Sequence, residues 1–439
     1  MSGAWQGRRL HFIGVGGAGM SAYARAAHAL GASVSGSDAG DGPYLRALRA
    51  EGVLDAVVGH AAQNVPAGEG VEVVHSSAVG ADNVELGAAR ERGLVVHSRA
   101  SLLAELTRLK RTIAIGGTHG KTTTSSMVVW ALRAAGLDPS WLIGGPAGAG
   151  LANGHWSEGE WLVVEADESD RSLVELEVEI AVLLNVELDH ADVFATLGEL
   201  RALFALFLAR GRHAIVLDDP VLAELRPDAE RVAPQDVRLH AGGSRFTVSG
   251  QQLELAVPGL HNALDAAGAY AAALAAGADA AAAARGLAQF PGAGRRFQLD
   301  GARNGAAIFE DYAHHPTEVA ATLAAARTLE PERLVAVFQP HMYSRTRLFA
   351  DDFGRALAAA DVALVLDVYP ARERAAEHPG VSGLLVARAA AQHRPGMPVL
   401  WAPTQEDAFV LLDRELRNGD VCLVMGAGDV DALARRLAA

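Results

Sequence analysis

The chain is poor in cysteine, in lysine and in uninterrupted apolar runs. Its one cysteine, Cys422, lies in the apolar word VCLVMG. A disulfide framework within the chain is thereby excluded, and a reducing compartment is expected. Positive charge is also short: 38 Lys and Arg face 52 Asp and Glu, giving a net charge of −14 and a pI of about 5.6. A protein that binds duplexes needs a concentrated basic surface, so nucleic acid is not an expected partner. No apolar stretch approaches the roughly 20 residues of a membrane helix. The opening MSGAWQGRRLHFIGVGGAGM has no apolar signal segment with a cleavage site, and a cytoplasmic protein with no membrane partner is expected. Lysine is the sharpest scarcity, because the basic residues are 36 arginines and only Lys110 and Lys121. This bias reflects genome composition, so a lysine kept where arginine's broad fork would not fit carries weight.

What is present is a chain of 439 residues, half of them hydrophobic. That length suggests about three domains. Three α/β blocks follow from short apolar runs alternating with amphipathic stretches. The first runs from RLHFIGVGG to about Arg108 and includes LHFIGV, SVSGSD, VEVVHS and LVVHS as strand candidates. The second opens at TIAIGG, contains WLVVEAD, AVLLNVE and HAIVLDD, and ends near the linker FPGAGRR at 290–296. The third holds AAIFEDY, LVAVFQP, VALVLDVYP and VCLVMGAG. The alanine-rich 266–288 segment reads as helix by propensity. Polar words repeatedly follow apolar runs: EADESD after WLVV, DYAHHP after AAIFE, QPHMYSRT after LVAVF. In open parallel sheets, ligands gather outside the carboxyl ends of the strands.

Two glycine-rich turns carry the most chemistry. Gly14, Gly16, Gly17 and Gly19 follow LHFIGV and precede a helical SAYARAAHAL, and Asp38 ends the next strand, 19 residues beyond Gly19. Helix-end amides would hold a diphosphate and the acid would hold ribose hydroxyls. NAD and UDP offer the same diphosphate and ribose, and the motif leaves both open. Further on, Gly117-Thr118-His119-Gly120-Lys121-Thr122-Thr123 lies between TIAIG and SSMVVWALRAAG. Backbone amides and Lys121 would cradle phosphates, and the Thr122 hydroxyl would reach Mg²⁺. The strict spacing is not met, since Ile115 stands five before Gly120 where glycine is usual. Magnesium also wants carboxylate oxygen, which Glu165, Asp167 and Glu168 offer at a strand end; a solvated acidic face is the plainer alternative. In a second cluster, Asn185-Val-Glu187-Leu-Asp189-His190, the histidine is an unusual magnesium ligand, and chemistry alone suggests that His190 holds water or substrate.

Ten words occur in one order across almost the whole chain: GVGGAGMSA, GTHGKTTT, EADESD, NVELDH, PGLHN, GRRF, DYAHHPTE, QPHMYSRTR, DVYPARE and VMGAGD. Together they resemble the Mur ligase family. The resemblance implies three α/β domains: a Rossmann-like UDP-binding domain over 1–108, a P-loop ATPase-like domain over 109–293 and a Rossmann-like domain over 294–439 that contacts amino acid and ATP. It implies ATP-dependent joining of an amino acid to UDP-N-acetylmuramate through an acyl phosphate, with Mg²⁺ and with Lys121, His190, His341 and Arg345 in catalytic positions. Gly14, Gly16, Gly17, Gly19, Met20, Ser21, Asp38, Ser76 and Ser77 then match the UDP-substrate site. Thr122, Glu165 and His190 match the metal positions, with His190 at a second magnesium, against the chemical guess. On the ATP side, His261 and Asn262 match an adenine-proximal pair, joined by Arg296 and Asp311. His341 and Arg345 match the region that receives the amino acid, whose carboxylate Arg345 would take in a bidentate fork. His314 and His315 have a plainer reading as a cap before Pro316, and Arg295 and Arg296 as linker surface.

The lysine count narrows the branch. Several relatives hold the second metal with a carbamylated lysine in the central domain. Here Lys121 is committed to phosphate and Lys110 precedes the loop's own strand, so the branch that adds L-alanine without such a lysine remains. Two positions depart from the family. Met342 stands where an arginine is usual, removing a charge near the amino acid or phosphate, so that glycine or serine would compete. Asp265 stands where an asparagine follows HN, altering nucleotide contacts. The related attachment of a preformed murein peptide is the alternative, and the assembly stays open between monomer and homodimer.

Overall fold

The computed structural model describes residues 3–190 and 193–439, which fall into two compact units. One comprises Met1–Glu187, Leu197–Ala233 and Asp265–Gln289; the other comprises Leu188–Thr196, Pro234–Leu264 and Phe290–Ala439.

The first unit begins with β1 (Arg9–Ile13), α1 (Ala18–Ala29), β2 (Ser33–Asp38), α2 (Pro43–Ala50), β3 (Val57–Val58), β4 (Val71–His75), α3 (Val84–Glu91), β5 (Val95–Ser98) and α4 (Arg99–Thr107). Its five strands are parallel in the order β3-β2-β1-β4-β5. Central β1 buries Leu10, Phe12 and Ile13, as a strand covered on both faces must. The chain reverses direction across the sheet between β1 and β4, and the Gly14 turn and Ser76–Ser77 follow these two strands there. Beneath them lies a buried polar knot. Glu85, fully buried on α3, accepts from Ser37 at 2.6 Å and Asn64 at 2.7 Å and meets His11 Nε2 at 3.1 Å. Burial opposes its charge, but the bonds from His11, Ser37 and Asn64 outweigh it and hold the carboxyl at about 2.

The same unit continues with β6 (Arg111–Gly116), α5 (Lys121–Ala134), β7 (Ser140–Leu142), β8 (Gly154–His155), β9 (Trp161–Glu165), β10 (Ile180–Leu183), α6 (Leu197–Arg210), β11 (His213–Leu217), α7 (Pro220–Leu225) and β12 (Glu230–Val232). Among the described residues this sheet has seven strands, ordered β12-β11-β10-β6-β9-β7-β8, with only β8 antiparallel. Residues Ile113–Ile115 and all of β10 are buried, again the near-continuous apolar runs of a two-sided parallel sheet. Strand β6 lies between β10 and β9, so the loops after these three strands share one edge.

The second unit opens with an antiparallel sheet of β13 (Gln235–His240), β14 (Gly243–Val248) and β15 (Gln251–Leu255). The chain then forms α8 (Leu260–Ala275) and α9 (Ala280–Ala288), which occupy the alanine-rich stretch and from Asp265 on belong to the first unit. Next come β16 (Gln298–Arg303), β17 (Ala306–Asp311), α10 (Pro316–Arg327), β18 (Arg333–Phe338), α11 (Tyr343–Leu357), β19 (Val362–Leu366), α12 (Gly383–His393), β20 (Val399–Ala402), α13 (Gln405–Glu415), β21 (Asp420–Met425) and α14 (Asp431–Ala438). The sheet order is β16-β17-β21-β18-β19-β20, parallel except for β16. Apolar layers cover both faces, one around Leu323, Phe338 and Phe353 and the other around Val337, Leu364 and Leu412. Among the described residues no helix is long and apolar enough to cross a membrane.

Candidate active site

In the first glycine turn, Gly14 has φ +79°, and a side chain there would press on Ser76 and Val79. Asp38, ending β2, accepts from the Gly16 amide at 2.8 Å and from Gly40 at 3.2 Å. The acid expected to hold a ribose therefore also fixes the glycine loop. Ser76 is half-buried and Ser77 exposed at the end of β4, on the same edge. The side chains of Met20 and Ser21, the next two residues of the expected site, turn inward on α1. The Ser21 hydroxyl donates to the Ala18 carbonyl at 2.9 Å and accepts from Asn153 at 3.0 Å, and its amide donates to Gly17.

The phosphate loop spans Gly117–Gly120 between β6 and α5, with φ +139° at Gly117 and +83° at Gly120. A Cβ at Gly120 would overlap the carboxylate of Asp265, the residue that replaces asparagine. Lys121 folds back over the loop: its Nζ donates to the Gly117 carbonyl at 2.6 Å, to Thr118 at 3.2 Å, and to both oxygens of Glu168 at 3.0 and 2.8 Å. Burial opposes its charge, but Glu168 and Asp167 outweigh it and raise its pKa. Glu168 is 1% exposed, and burial pushes its carboxyl up to about 7.

The loop is pinned from the β10 side. The His119 amide donates to Asn185 Oδ1 at 2.8 Å, and Asn185 Nδ2 returns a bond to the His119 carbonyl at 3.1 Å. The Thr118 hydroxyl donates to the Glu187 carbonyl and accepts from its amide, both at 3.0 Å, and His119 Nε2 meets Glu187 Oε2 at 3.3 Å. Asn185 and Glu187 thus hold the loop, a role that composition gave no means of seeing. Thr122 and Thr123 start α5; Thr123 is buried and Thr122 half-buried. On the other side, Glu165 ends β9 in register with Ile115 and accepts from the Gly144 amide at 2.5 Å. Asp167 and Asp170 are paired with Arg99 at 2.8 and 2.7 Å. The Glu165 carboxylate and the Thr122 hydroxyl in the first turn of α5 are oxygen donors of the kind that suits magnesium.

In the second unit, Asn262 is buried, and its amide donates to the Pro258 carbonyl at 2.6 Å. His261 packs on Gly259. Burial and then Arg296 push its ring down to about 4, so it is neutral at pH 7. Arg296 lies over the Tyr312 ring at 5.1 Å and 3.6 Å from Glu318. Asp311 is 5% exposed, and its oxygens accept from the Phe297 amide at 2.8 Å and the Ala313 amide at 2.7 Å. It thus organises the GRRF and DYAHH turns with the atoms that were expected to face ATP. His315 caps α10: its side chain accepts from the Thr317 amide, Glu318 accepts from the His315 amide at 3.2 Å, and Pro316 takes the first turn. The capping alternative therefore describes His315 in this fold.

Arg345 differs most from expectation. It is 6% exposed, and Nε and Nη2 bond the carboxylate of Asp189 at 3.0, 2.8 and 3.0 Å. The bidentate fork holds a protein carboxylate from the NVELDH word. Burial opposes Asp189's charge, but Arg345 outweighs it and keeps the carboxyl well below the usual range. Arg345 Nη1 meets His341 Nδ1 at 3.2 Å, and His341 stacks on Tyr369 at 5.7 Å. Burial, then His314 and Arg345, push the His341 ring down to about 3. A neutral ring that accepts at Nδ1 presents an N–H at Nε2, a donor rather than a base. His190, at φ +51°, lies beside Asp189, and these two line a small pocket together with Arg345, Met342, Leu348 and Phe349. Met342 is buried at φ +66°, held by its amide to Tyr369 and by Thr346 on its carbonyl.

Three family models match consecutive parts of the chain: the Mur ligase catalytic domain at 9–111, the Mur ligase middle domain at 115–273 and the Mur ligase glutamate ligase domain at 295–428. The UDP-N-acetylmuramate–L-alanine ligase of Mycobacterium sp. (strain JLS) is 42% identical over 98% of this chain and 95% of its own. The chain belongs to the Mur ligase family. The enzyme of the same description from Acidothermus cellulolyticus is 43% identical, over 98% and 95% of the two chains. Among solved structures, UDP-N-acetylmuramate-alanine ligase MurC from Thermotoga maritima superposes with a TM-score of 0.84 at 26% identity, covering 98% of each chain. A murein peptide ligase from Psychrobacter arcticus gives 0.72 at 25%, also over 98% of each. This Mur ligase is therefore an amide-forming, ATP-dependent enzyme of three α/β domains.

Proposed function

We propose that the chain joins L-alanine to the lactyl carboxylate of UDP-N-acetylmuramate in peptidoglycan precursor synthesis. The carrying observation is the identity of about two residues in five to alanine-adding ligases along nearly the whole chain. A carboxylate oxygen attacks the γ-phosphorus of ATP, the bond to ADP breaks, and an acyl phosphate results. The amine of alanine, having lost a proton to water, adds to the acyl carbon, and phosphate leaves with its bonding pair. Lys121 and the loop amides hold the phosphates, Arg345 and His341 stand where the amino acid enters, and the Gly14–Gly19 turn with Asp38 holds the UDP end. Thr122 and Glu165, with His190 as the family implies, would hold magnesium, which would supply positive charge to neutralise the phosphates. The same reading divides the chain at 1–108, 109–293 and 294–439 and places it in the cytoplasm, supported by the three family matches and the buried, lone Cys422.

The test is phosphate release from ATP and UDP-N-acetylmuramate with alanine, glycine, serine or a murein tripeptide. Alanine-dependent release with a several-fold preference in kcat/KM supports the proposal. Tripeptide-dependent release alone moves the chain to the murein peptide branch, and release indifferent to any amine overturns the reading.

A further inference from the structure

Arg99 opens α4 with its side chain 19% exposed, and it touches two features that the sequence treats separately. Its Nη1 lies against Gly19, where an added Cβ would come within 3.3 Å of it. Its Nη2 bonds Asp167 at 2.8 Å and Asp170 at 2.7 Å, and Nε bonds Asp170 at 3.2 Å. Asp167 adjoins Glu168, the carboxylate that holds Lys121. Asp167 and Asp170 also organise their own loop, accepting from the Ser169 and Ser172 amides, each at 3.0 Å. The guanidinium has five N–H groups in a rigid fork. Among the described residues those on Nη1 have no acceptor, although they lie on the turn expected to carry an anion. Asp167 and Asp170 are thus one side chain away from the first glycine turn and one and two residues away from the lysine's partner.

We propose that Arg99 is a positioning residue that couples the two nucleotide sites: Nη1 meets an oxygen of the anion held on the Gly14–Gly19 turn, while Nε and Nη2 hold the acid loop beside Lys121. This rests on the reading that the UDP end of the substrate lies on that turn. Filling the turn orders the guanidinium, the guanidinium orders Asp167 and Asp170, and Glu168 and Lys121 follow. Coupling of this kind is reciprocal, so each ligand tightens the other by the same factor.

The experiment is titration calorimetry of ADP with and without saturating UDP-N-acetylmuramate, and of UDP-N-acetylmuramate alone, in wild type, Arg99→Gln and Asp170→Asn, with melting curves as a check on folding. ADP does not turn over, so binding is read without activity. Wild type is expected to show ADP tightened roughly tenfold by the nucleotide sugar. Arg99→Gln should weaken UDP-N-acetylmuramate by about tenfold, as loss of a charge-assisted hydrogen bond does, and bring the coupling factor close to one. Asp170→Asn, which leaves Nη1 in place, should keep the nucleotide-sugar affinity within about twofold and still lower the coupling. It also decides the matter should Arg99→Gln not fold. Normal binding in wild type with no coupling, or with coupling unchanged in the variants, overturns the proposal alone. Wild-type protein that binds no UDP-N-acetylmuramate overturns the functional reading and the proposal with it.

Discussion

Lys121 and Arg345 meet a protein carboxylate wherever a substrate anion is expected. For Lys121 that carboxylate is Glu168, whose acid form persists to about pH 7 because it is buried. Ionised Glu168 competes with phosphate for the ammonium, whereas the protonated acid does not. ADP affinity should therefore fall as pH rises through about 7. In Glu168→Gln it should vary less over the same interval; identical profiles measured by calorimetry would exclude the competition. For Arg345 the partner is Asp189, which fills the fork before any amino acid arrives. Removing one member of a buried pair strands the other, so Asp189→Asn should lower stability by about 3 kcal/mol, seen as a lower denaturant midpoint. The same variant opens the fork to a substrate carboxylate. The KM for alanine should change several-fold while the KM for ATP stays put, and parallel changes would mean that the pair serves only the fold.

At the scale of elements, the phosphate loop works because three strands end together and because Gly120 has no side chain. Gly120→Ala would force an L residue to φ +83° and drive its Cβ into Asp265. The backbone term alone costs roughly 1–2 kcal/mol. ADP binding should drop at least tenfold, and adding Asp265→Ala should restore only the steric share; full restoration would show that φ does not matter there. Apolar strands such as TIAIG, WLVV and AVLL were legible in the sequence because a strand covered on both faces is apolar throughout. The antiparallel β13–β15 sheet was not: QDVRLH is almost wholly exposed and polar, and neither its period nor its composition separates it from a loop. The glycine turns were readable from spacing. The uses of Ser21, Asp311 and Asn185 were not, since their hydrogen bonds go to backbone atoms in a tight turn or far along the chain and, for Ser21, to the distant Asn153 side chain, which residue type alone does not encode. Likewise Asp189 as the partner of Arg345 lies 156 positions away.

Across the whole molecule, two half-buried histidines and the buried Glu85 contribute to the response to acid. His261 and His341 have ring pKa values depressed to about 4 and about 3, so their contribution is present above about 6.5 and is lost as pH falls toward those values. Glu85 follows, with its share present above about 4.5 and lost toward about 2, worth about 3 kcal/mol in all. Melting temperature should decline from pH 7 to 5 in wild type and less in a His261→Gln, His341→Gln double variant; equal slopes would remove the histidines from the account. The two lysines have a further consequence at this scale. Lys110 gives its ammonium to the carbonyls of Ser157, at 2.7 Å, and Gly159, and Lys121 gives its own to Gly117, Thr118 and Glu168. An acyl phosphate acylates neutral amines, and a guanidinium that never loses its proton is no target. A surface furnished with arginine instead of lysine leaves the enzyme's own reactive intermediate little of the enzyme to modify.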